Sequence, residues 1–347
     1  AWPEARLKGG LLDASLAIEA PANRPLRISG PLQVRGLGLE TVDATIAGEN
    51  LGGDLRIDYR TTPAQSLLAL DGELRGGEFL AGNTYVALPA TPVGLHVDAM
   101  KQAGAGWHVP RIEWRDGNAL QASGSLAFAN DGALSSMAVD ARSRDMSPLR
   151  QRYLSGWMGV FGLGDVDLHG AMDLRVEAQA GALSRVDAVL HRVDLRDPAR
   201  RFVFDRLAGD LRYSASMPVR SELRWQGGQL YGLAFGEARL PMSSADGLLR
   251  FREDVRVPLM DGTMTLREVV IRPPQGTAGM DIHFGLALDD IDFGKVSQAL
   301  GLPAFQGRLS GNIPQARYAD ERIDFDGGLS LRLFDGRFAR TVVTTRE

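Results

Sequence analysis

Several residue classes that support common chemistries are missing or scarce in this sequence. It has no cysteine, which excludes a disulfide scaffold, thiol catalysis and thiolate metal sites. Positive charge comes almost wholly from arginine, because Lys8, Lys101 and Lys295 are the only lysines. Arginines alternate with acids and the net charge is -4, which argues against a face for nucleic acid. No apolar run reaches the ~18 residues that a membrane-spanning helix needs.

Aromatic residues make up only 7% of the chain, so its apolar surface consists mostly of leucine, valine, alanine and isoleucine. Hydrophobic residues reach 44%, which is enough to bury a sizeable core. The length of 347 residues predicts roughly two ordinary domains. The chain starts at Ala1 with neither an initiator methionine nor a signal peptide, and we expect it to be part of a longer protein.

Strict alternation of apolar and polar residues recurs along the chain. Successive side chains of a β-strand point to opposite faces, so each such segment predicts a strand with one apolar and one charged face. This pattern is typical of an antiparallel sheet with a single covered face. The residues that we predict on the apolar faces are Leu55, Ile57, Tyr59, Val93, Leu95, Val97, Met172, Leu174, Val176, Leu211, Tyr213, Ile282, Phe284, Leu286, Leu288, Leu329, Leu331 and Leu333.

Pairs of turn-forming residues separate the alternating segments. Aspartate and glycine both accept the positive φ that tight hairpins require. We therefore predict a turn at each Asp-Gly or Gly-Gly pair, and a long antiparallel meander of neighbouring strands. Asp-Gly pairs begin at Asp71, Asp116, Asp131, Asp246, Asp261, Asp326 and Asp335, and Gly-Gly pairs begin at Gly9, Gly52, Gly76, Gly227 and Gly327.

Helical signals are confined to two short segments. The first runs from Pro148 to about residue 158, with Ser147 predicted as its N-cap. The second runs from about Lys295 to residue 300 and ends at Gly301. Their sequence contexts match at a spacing of 147 residues. We interpret this as an internal repeat of a short helix and a long β-meander, with segments 1–144, 145–291 and 292–347, the last of them truncated.

No motif in the sequence supports catalysis or a cofactor. Gly36-Leu37-Gly38 and Gly162-Leu163-Gly164 lack the third glycine and the strand–helix crossover of a phosphate-binding loop, and no nucleophile elbow occurs. The five histidines are scattered without metal-site spacing. Asp289, Asp290 and Asp292 lack the glycine and distal glutamate of a calcium loop, and Asp292 precedes a helix N-terminus that favours a carboxylate. We therefore expect neither an enzyme nor a bound metal or cofactor.

The apolar faces are the one feature extensive enough to carry a function. Any half-buried sheet has such a face and can use it as a closed core. With few helices to cover it, the same face would line an open groove that accepts a ligand or a partner. The pattern alone leaves these two interpretations open.

Four stretches of this sequence resemble the AsmA-like superfamily, and within it the YdbH and TamB branch of envelope proteins. They are the two helix-initiating stretches 145–149 and 292–296, residues 305–311, and the late strand and turn 329–337. The resemblance covers residues 145–347 best. It implies an all-β, elongated groove, a long antiparallel meander curled like a taco shell with two short helices. The family has no catalytic residues, so the resemblance implies none in this chain.

The resemblance also implies a role, a compartment and partners. The protein would be a bridge-like carrier in the periplasm, anchored to the inner membrane by an N-terminal helix beyond this chain. It would move phospholipid between the inner and outer membranes, with acyl chains on the apolar strand faces and further envelope proteins at its ends. The alternative is a structural or scaffold β-protein of the envelope with a closed core.

Overall fold

The computed structural model describes residues 5–22, 24–42, 46–81, 84–160, 164–272, 279–302, 306–319, 322–326, 329–334 and 339–344. By its contacts the chain divides into two units, Ala1–Leu183 and Ser184–Glu347. Both units are built almost entirely of antiparallel β-strands, which confirms the predicted all-β meander. Within the described ranges, no helix has the length and apolarity required to cross a lipid bilayer.

Unit 1 contains twelve of the described strands. Their bounds are β1 Ala5–Ala14, β2 Ala17–Glu19, β3 Leu26–Thr41, β4 Ile46–Thr61, β5 Gln65–Arg75, β6 Glu78–Ala81, β7 Thr84–Ala87, β8 Val93–Gln102, β9 Trp107–Asp116, β10 Leu120–Phe128, β11 Leu134–Ser143 and β12 Asp167–Gln179.

The strands of unit 1 pair in the order β3–β4–β5–β8–β9–β10–β11–β12, every pair antiparallel. β1 and β2 both pair with β3. β6 pairs with the first part of β4, and β7 pairs with β6. Apart from β1, β6 and β7, strands that follow one another in the chain are neighbours in the sheet, as local hairpin connections require.

Unit 2 follows the same plan. Its strands are β13 Ala182–Arg196, β14 Phe202–Ser214, β15 Val219–Leu230, β16 Leu233–Ala245, β17 Leu248–Phe251, β18 Val255–Leu259, β19 Gly262–Arg272, β20 Asp281–Asp292, β21 Arg308–Ala319, β22 Arg322–Asp326, β23 Leu329–Phe334 and β24 Ala339–Thr344. β13, β14, β15 and β16 pair in sequence, and β17 and β18 both bridge β16 to β19. β19, β20 and β21 continue the sheet. β22 and β23 both pair with β21, and β24 pairs with β23.

Four non-glycine residues with positive φ lie inside the strands of unit 2, at register shifts. They are Arg192 (51°), Arg206 (53°), Glu268 (48°) and Asp290 (51°). Each marks a β-bulge, where one extra residue increases the local twist and bends the strand. These bulges curve the sheet of unit 2 at points that alternation alone does not reveal.

Both predicted helices form, but the capping of the first differs from the prediction. A π-helical turn, Arg150–Leu154, continues into the α-helix α1, Ser155–Val160. The helical N-cap is Leu149, and no side chain caps it. The prediction of Ser147 as N-cap was wrong, because its hydroxyl lies 3.0 Å from Nδ1 of His169.

The second helix, α2, spans Phe293–Ala299, and Asp292 is its N-cap, with Oδ1 accepting from the backbone N–H of Lys295. At the other end Gly301 has φ of 67°. The N–H of Gly301 bonds the carbonyl of Gln298, and the N–H of residue 302 bonds that of Ser297. This is a Schellman termination, which confirms the glycine stop that the sequence predicts.

The predicted turns are only partly correct. Chain reversals occur at Asp116, Asp131, Asp246, Asp261 and Gly76, whereas Asp71, Gly9, Gly52 and Gly227 lie inside strands. Gly72 shows the reason: its φ is 151°, and a Cβ there would lie 2.2 Å from the carbonyl oxygen of Asp54 on β4. Glycine is needed here for close strand approach, not for reversal. The pairs at Gly327 and Asp335 lie outside the described residues, and the pair at Asp326 ends a strand there.

Candidate functional site

One row of register partners on the apolar face crosses eight strands of unit 1 without a polar residue. Residues that are directly opposite on paired strands point to the same face, so the row forms a continuous strip. Its members are Leu32, Leu55, Gly72, Leu95, Trp114, Ala122, Ala141 and Leu174.

A second row lies two residues further along each strand and is equally apolar. It consists of Gly30, Ile57, Leu70, Val97, Ile112, Gly124, Val139 and Val176. Beyond it, Tyr59 pairs with Ile28 and Leu68 and directs its hydroxyl to Ser66 Oγ at 3.2 Å. The predicted residues of β4, β8 and β12 are thereby brought onto one surface, although they are separated by up to 121 positions in the chain.

The rows that alternate with these two belong to the opposite face and are polar. One of them, adjacent to the first apolar row, consists of Gln33, Asp54, Glu73, Gly94, Arg115, Gln121, Arg142 and Asp173. Ion pairs follow this face, including Arg27 with Asp58 at 2.8 Å and Arg142 with Asp173 at 2.5 Å. The hydrogen bond from Arg27 holds the pKa of Asp58 far below its usual range. Unit 1 therefore has one wetted, ion-paired face and one apolar face.

Most of the predicted apolar positions are neither sealed in a core nor freely exposed. The side chains of fifteen of the eighteen are described; Val93 (0% exposed) and Tyr213 (7%) are buried, and the other thirteen are half-buried. Leu329, Leu331 and Leu333 lie on strand β23, but their side chains fall outside the described part of the structure. Half-burial is what a sheet face produces when its own side chains cover it and no second layer does.

A cavity of about 320 Å³ opens on the apolar face of unit 1. This volume lies at the lower end of the range of ordinary ligand pockets. The described residues that line it are all apolar or glycine: Val34, Leu37, Leu51, Gly52, Leu55, Leu74, Phe79, Val86, Leu88 and Trp114. Among these residues only Trp114, through its indole, has a hydrogen-bonding side chain, so the ligand class that the cavity suits is hydrocarbon.

One end of this face carries a buried charge. Asp116 follows Ile112 and Trp114 at alternate positions of β9, so it lies on the apolar side, and it is 3% exposed. Arg152 Nη1 donates to both of its oxygens, at 2.9 and 2.7 Å, and Tyr153 Oη donates to Oδ2 at 2.8 Å. These hydrogen bonds replace the ones to water that the carboxylate loses on burial, and they offset the cost of desolvating its charge.

The apolar face of unit 2 contains a denser cluster. Trp225, Ala238, Val255 and Val257 are buried. Phe204 and Phe235 pack on Trp225 with ring centroids 5.4 and 5.8 Å away. The indole N–H of Trp225 donates to the carbonyl of Gly236 at 3.0 Å. This part of unit 2 is a closed core.

Elsewhere in unit 2 the predicted residues fall on apolar rows. Leu288 pairs with Met264 and Gly311, and Leu286 pairs with Leu266 and Ile313. Phe284 pairs with Ala316, and Ile282 with Ile271 and Tyr318. On the other side of the closed core, Leu211 pairs with Ala188 and Tyr213 with Val186.

The sequence did not point to Asp116, Trp114, Arg152 or Tyr153. Asp116 was predicted only as part of a turn, and nothing local indicates that its side chain is buried. Among the described residues, no group of three or more histidine and acidic side chains is placed to hold a metal ion. No model of a protein family, no curated protein and no solved structure matches this chain.

Proposed function

We propose that the protein holds phospholipid acyl chains on its apolar sheet faces and carries phospholipid between the inner and outer membranes of a bacterial envelope. The observation that carries this proposal is the uninterrupted apolar strip of unit 1, eight strands wide, with an all-apolar cavity open on it. A half-buried apolar surface of this width ordinarily marks a ligand or partner site.

The physical basis of the role is the hydrophobic effect. Moving one CH₂ group from an apolar environment into water costs about 0.8 kcal/mol of free energy. The transfer of a sixteen-carbon acyl chain into water would therefore cost on the order of 13 kcal/mol. A strip such as Leu55, Leu95 and Leu174 removes this barrier, because a sliding chain exchanges one hydrocarbon contact for another. The headgroup would remain in water. The role requires no catalytic residue.

The compartment belongs to the proposal as well. The resemblance to the AsmA-like superfamily supports a periplasmic location, an inner-membrane anchor beyond this chain and envelope proteins as partners. The ion-paired face of unit 1 supports contact with water on one side of the sheet, as an open groove wall requires. The direction of movement would be set by these partners, since nothing in the sequence resembles a nucleotide site.

The cluster around Trp225 favours a second candidate, a structural β-protein of the envelope whose apolar faces are closed cores. In that case the half-buried rows of unit 1 would pack against a further protein layer and not against lipid. Both candidates use the same strands, and they differ in what occupies the apolar face of unit 1.

Native mass spectrometry of protein expressed in a bacterial periplasm and purified without added lipid separates the two. The lipid carrier is expected to retain one or more phospholipids, which collisional activation releases and identifies. A homogeneous protein mass without any bound lipid would contradict the proposal and favour the structural protein.

A further inference from the structure

The helical segment, residues 150–160, packs beside the cavity of unit 1. It contacts strand β7, whose Val86 belongs to the cavity lining. Its Tyr153 also reaches a second lining residue: the indole N–H of Trp114 donates to Tyr153 Oη at 3.0 Å. The two rings meet edge to face, with centroids 6.2 Å apart. The segment therefore contacts one lining residue, Trp114, directly, and it packs on the strand that carries another.

Hydrogen bonds hold this segment to the sheet. Tyr153 accepts from Trp114 and donates to Asp116, while Arg152 donates to both oxygens of Asp116. Burial, together with the neighbouring Asp116, raises the pKa of the Tyr153 phenol well above its usual value, so the hydroxyl keeps the proton that it donates. We call Asp116, Arg152, Tyr153 and Trp114 the latch.

Among the described residues of this region, the fully buried side chains lie on either side of the segment. No described side chain within it is fully buried. The chain on either side is firmly anchored: Met146 and Leu149 before it are 5% and 2% exposed, and Val166 and Leu168 after it are 1% and 6% exposed. A stretch whose described side chains are at most half-buried opens at a lower free energy than fully buried anchors do. The segment is thus fixed at both ends and held in the middle by the latch.

We propose that the helical segment is a lid on the apolar cavity of unit 1 and that the latch keeps it closed. Opening would break the hydrogen bonds of Asp116, withdraw Tyr153 from Trp114 and move the segment away from β7, while the anchors at residues 146–149 and 166–168 remain in place. An acyl chain would enter or leave the cavity through this opening. The inference rests on the proposed function, since it concerns access to the same site.

Hydrogen–deuterium exchange on the full chain tests whether the segment opens independently. Tyr153→Phe removes two hydrogen bonds, the one donated to the charged Asp116 and the one accepted from Trp114, so amides of residues 150–160 should exchange at least about tenfold faster, with β8 and β9 unchanged. Asp116→Asn should act in the same direction. Asp173→Asn is the matched control, because it weakens an exposed aspartate–arginine pair in the same unit.

Unchanged exchange of the segment in Tyr153→Phe would overturn the lid, and so would acceleration throughout unit 1, which would indicate general destabilisation. If Asp116→Asn does not fold, Tyr153→Phe still decides, because it preserves the ring and the pair between Asp116 and Arg152.

Stopped-flow uptake and release of a fluorescent sixteen-carbon fatty acid tests whether the lid controls access. Uptake and release should both accelerate in Tyr153→Phe by a similar factor, leaving the dissociation constant nearly unchanged, whereas Asp173→Asn should match the wild type. Wild-type rates in the latch variants would refute the lid and leave the proposed function standing. No uptake by the wild type would refute the proposed function and the lid's role in access, while the exchange experiment would still report whether the segment opens.

Discussion

Gln121 and Ala122 are neighbours on β10, yet their register partners belong to two different surfaces. Gln121 lies opposite Arg115 on β9 and Arg142 on β11. Ala122 lies opposite Trp114 and Ala141 on the same two strands. One step along the backbone thus crosses from the ion-paired face to the apolar strip.

This relationship supplies a matched test of the proposed groove. Ala122→Glu places a charge on the apolar strip, and Gln121→Glu places the same charge between two arginines on the wetted face. We expect Ala122→Glu to reduce acyl-chain binding at least about tenfold, because a sliding chain would have to pass a hydrated carboxylate. Gln121→Glu should bind as the wild type does, and titration with the fluorescent fatty acid measures both.

Thermal melting of the same two variants distinguishes an open face from a closed one. On an open face the new carboxylate can reach water, so Ala122→Glu should lower the free energy of unfolding by less than about 2 kcal/mol. Unfolding of Ala122→Glu alongside a stable Gln121→Glu would mean that the strip is sealed in a core, and it would favour the structural candidate.

Truncation of large side chains should affect the two units differently. Trp225→Ala removes a buried ring from the cluster with Phe204 and Phe235, and we expect a loss of about 3–5 kcal/mol. Leu55→Ala enlarges a cavity that already exists, so its loss should fall below the roughly 2 kcal/mol minimum for leucines in sealed cores. Urea denaturation measures both, and equal losses would contradict the difference that we describe between the units.

Gly72 and Gly94 test the requirement for close strand approach. An alanine Cβ at Gly72 would meet the backbone of Asp54 at 2.2 Å with φ at 151°, so Gly72→Ala should destabilise by about 1–3 kcal/mol or more. At Gly94 the nearest atom is the Cβ of Arg115 at 3.5 Å, an ordinary contact, and Gly94→Ala should be tolerated. Chemical denaturation of both variants checks this, and a tolerated Gly72→Ala would show that the paired strands can separate locally.

His96 predicts a pH dependence of stability. Hydrogen bonds to Asp71, the larger influence, and to Asp98 raise its pKa above 6.5, although partial burial and, to a smaller extent, Arg111 oppose them. Because the native pKa is the higher one, the stabilisation is complete below pH 6.5 and disappears as the pH rises through the native value. Its register partner Glu113 adds a further negative charge on the same face.

The melting temperature of the wild type should therefore fall more steeply than that of His96→Gln as the pH rises above 6.5. His108→Gln, which alters an exposed histidine of the same unit, is the control and should follow the wild type. Parallel profiles for the wild type and His96→Gln would show that these ion pairs do not stabilise unit 1.

The faces of individual strands could be predicted from the sequence because the side-chain period of a strand is two and depends only on neighbouring residues. Leu55, Ile57 and Tyr59 occupy one side of β4 for that reason, and Asp292 caps α2 through a contact only three residues away. The antiparallel meander follows from the short connections between such strands.

Whether a strand face contributes to a continuous apolar row, a closed core or a cavity depends on the tertiary structure. Residues as distant as Ile57 and Val176 join one row only through the registers of six successive strand pairs, and each register depends on partners elsewhere in the chain. The same non-local pairing places Gly72 inside a strand and buries Asp116 beneath Arg152 and Tyr153. It also closes the cluster around Trp225 while leaving a cavity beside Leu55, because packing density depends on which side chains meet across strands and not on their order in the chain.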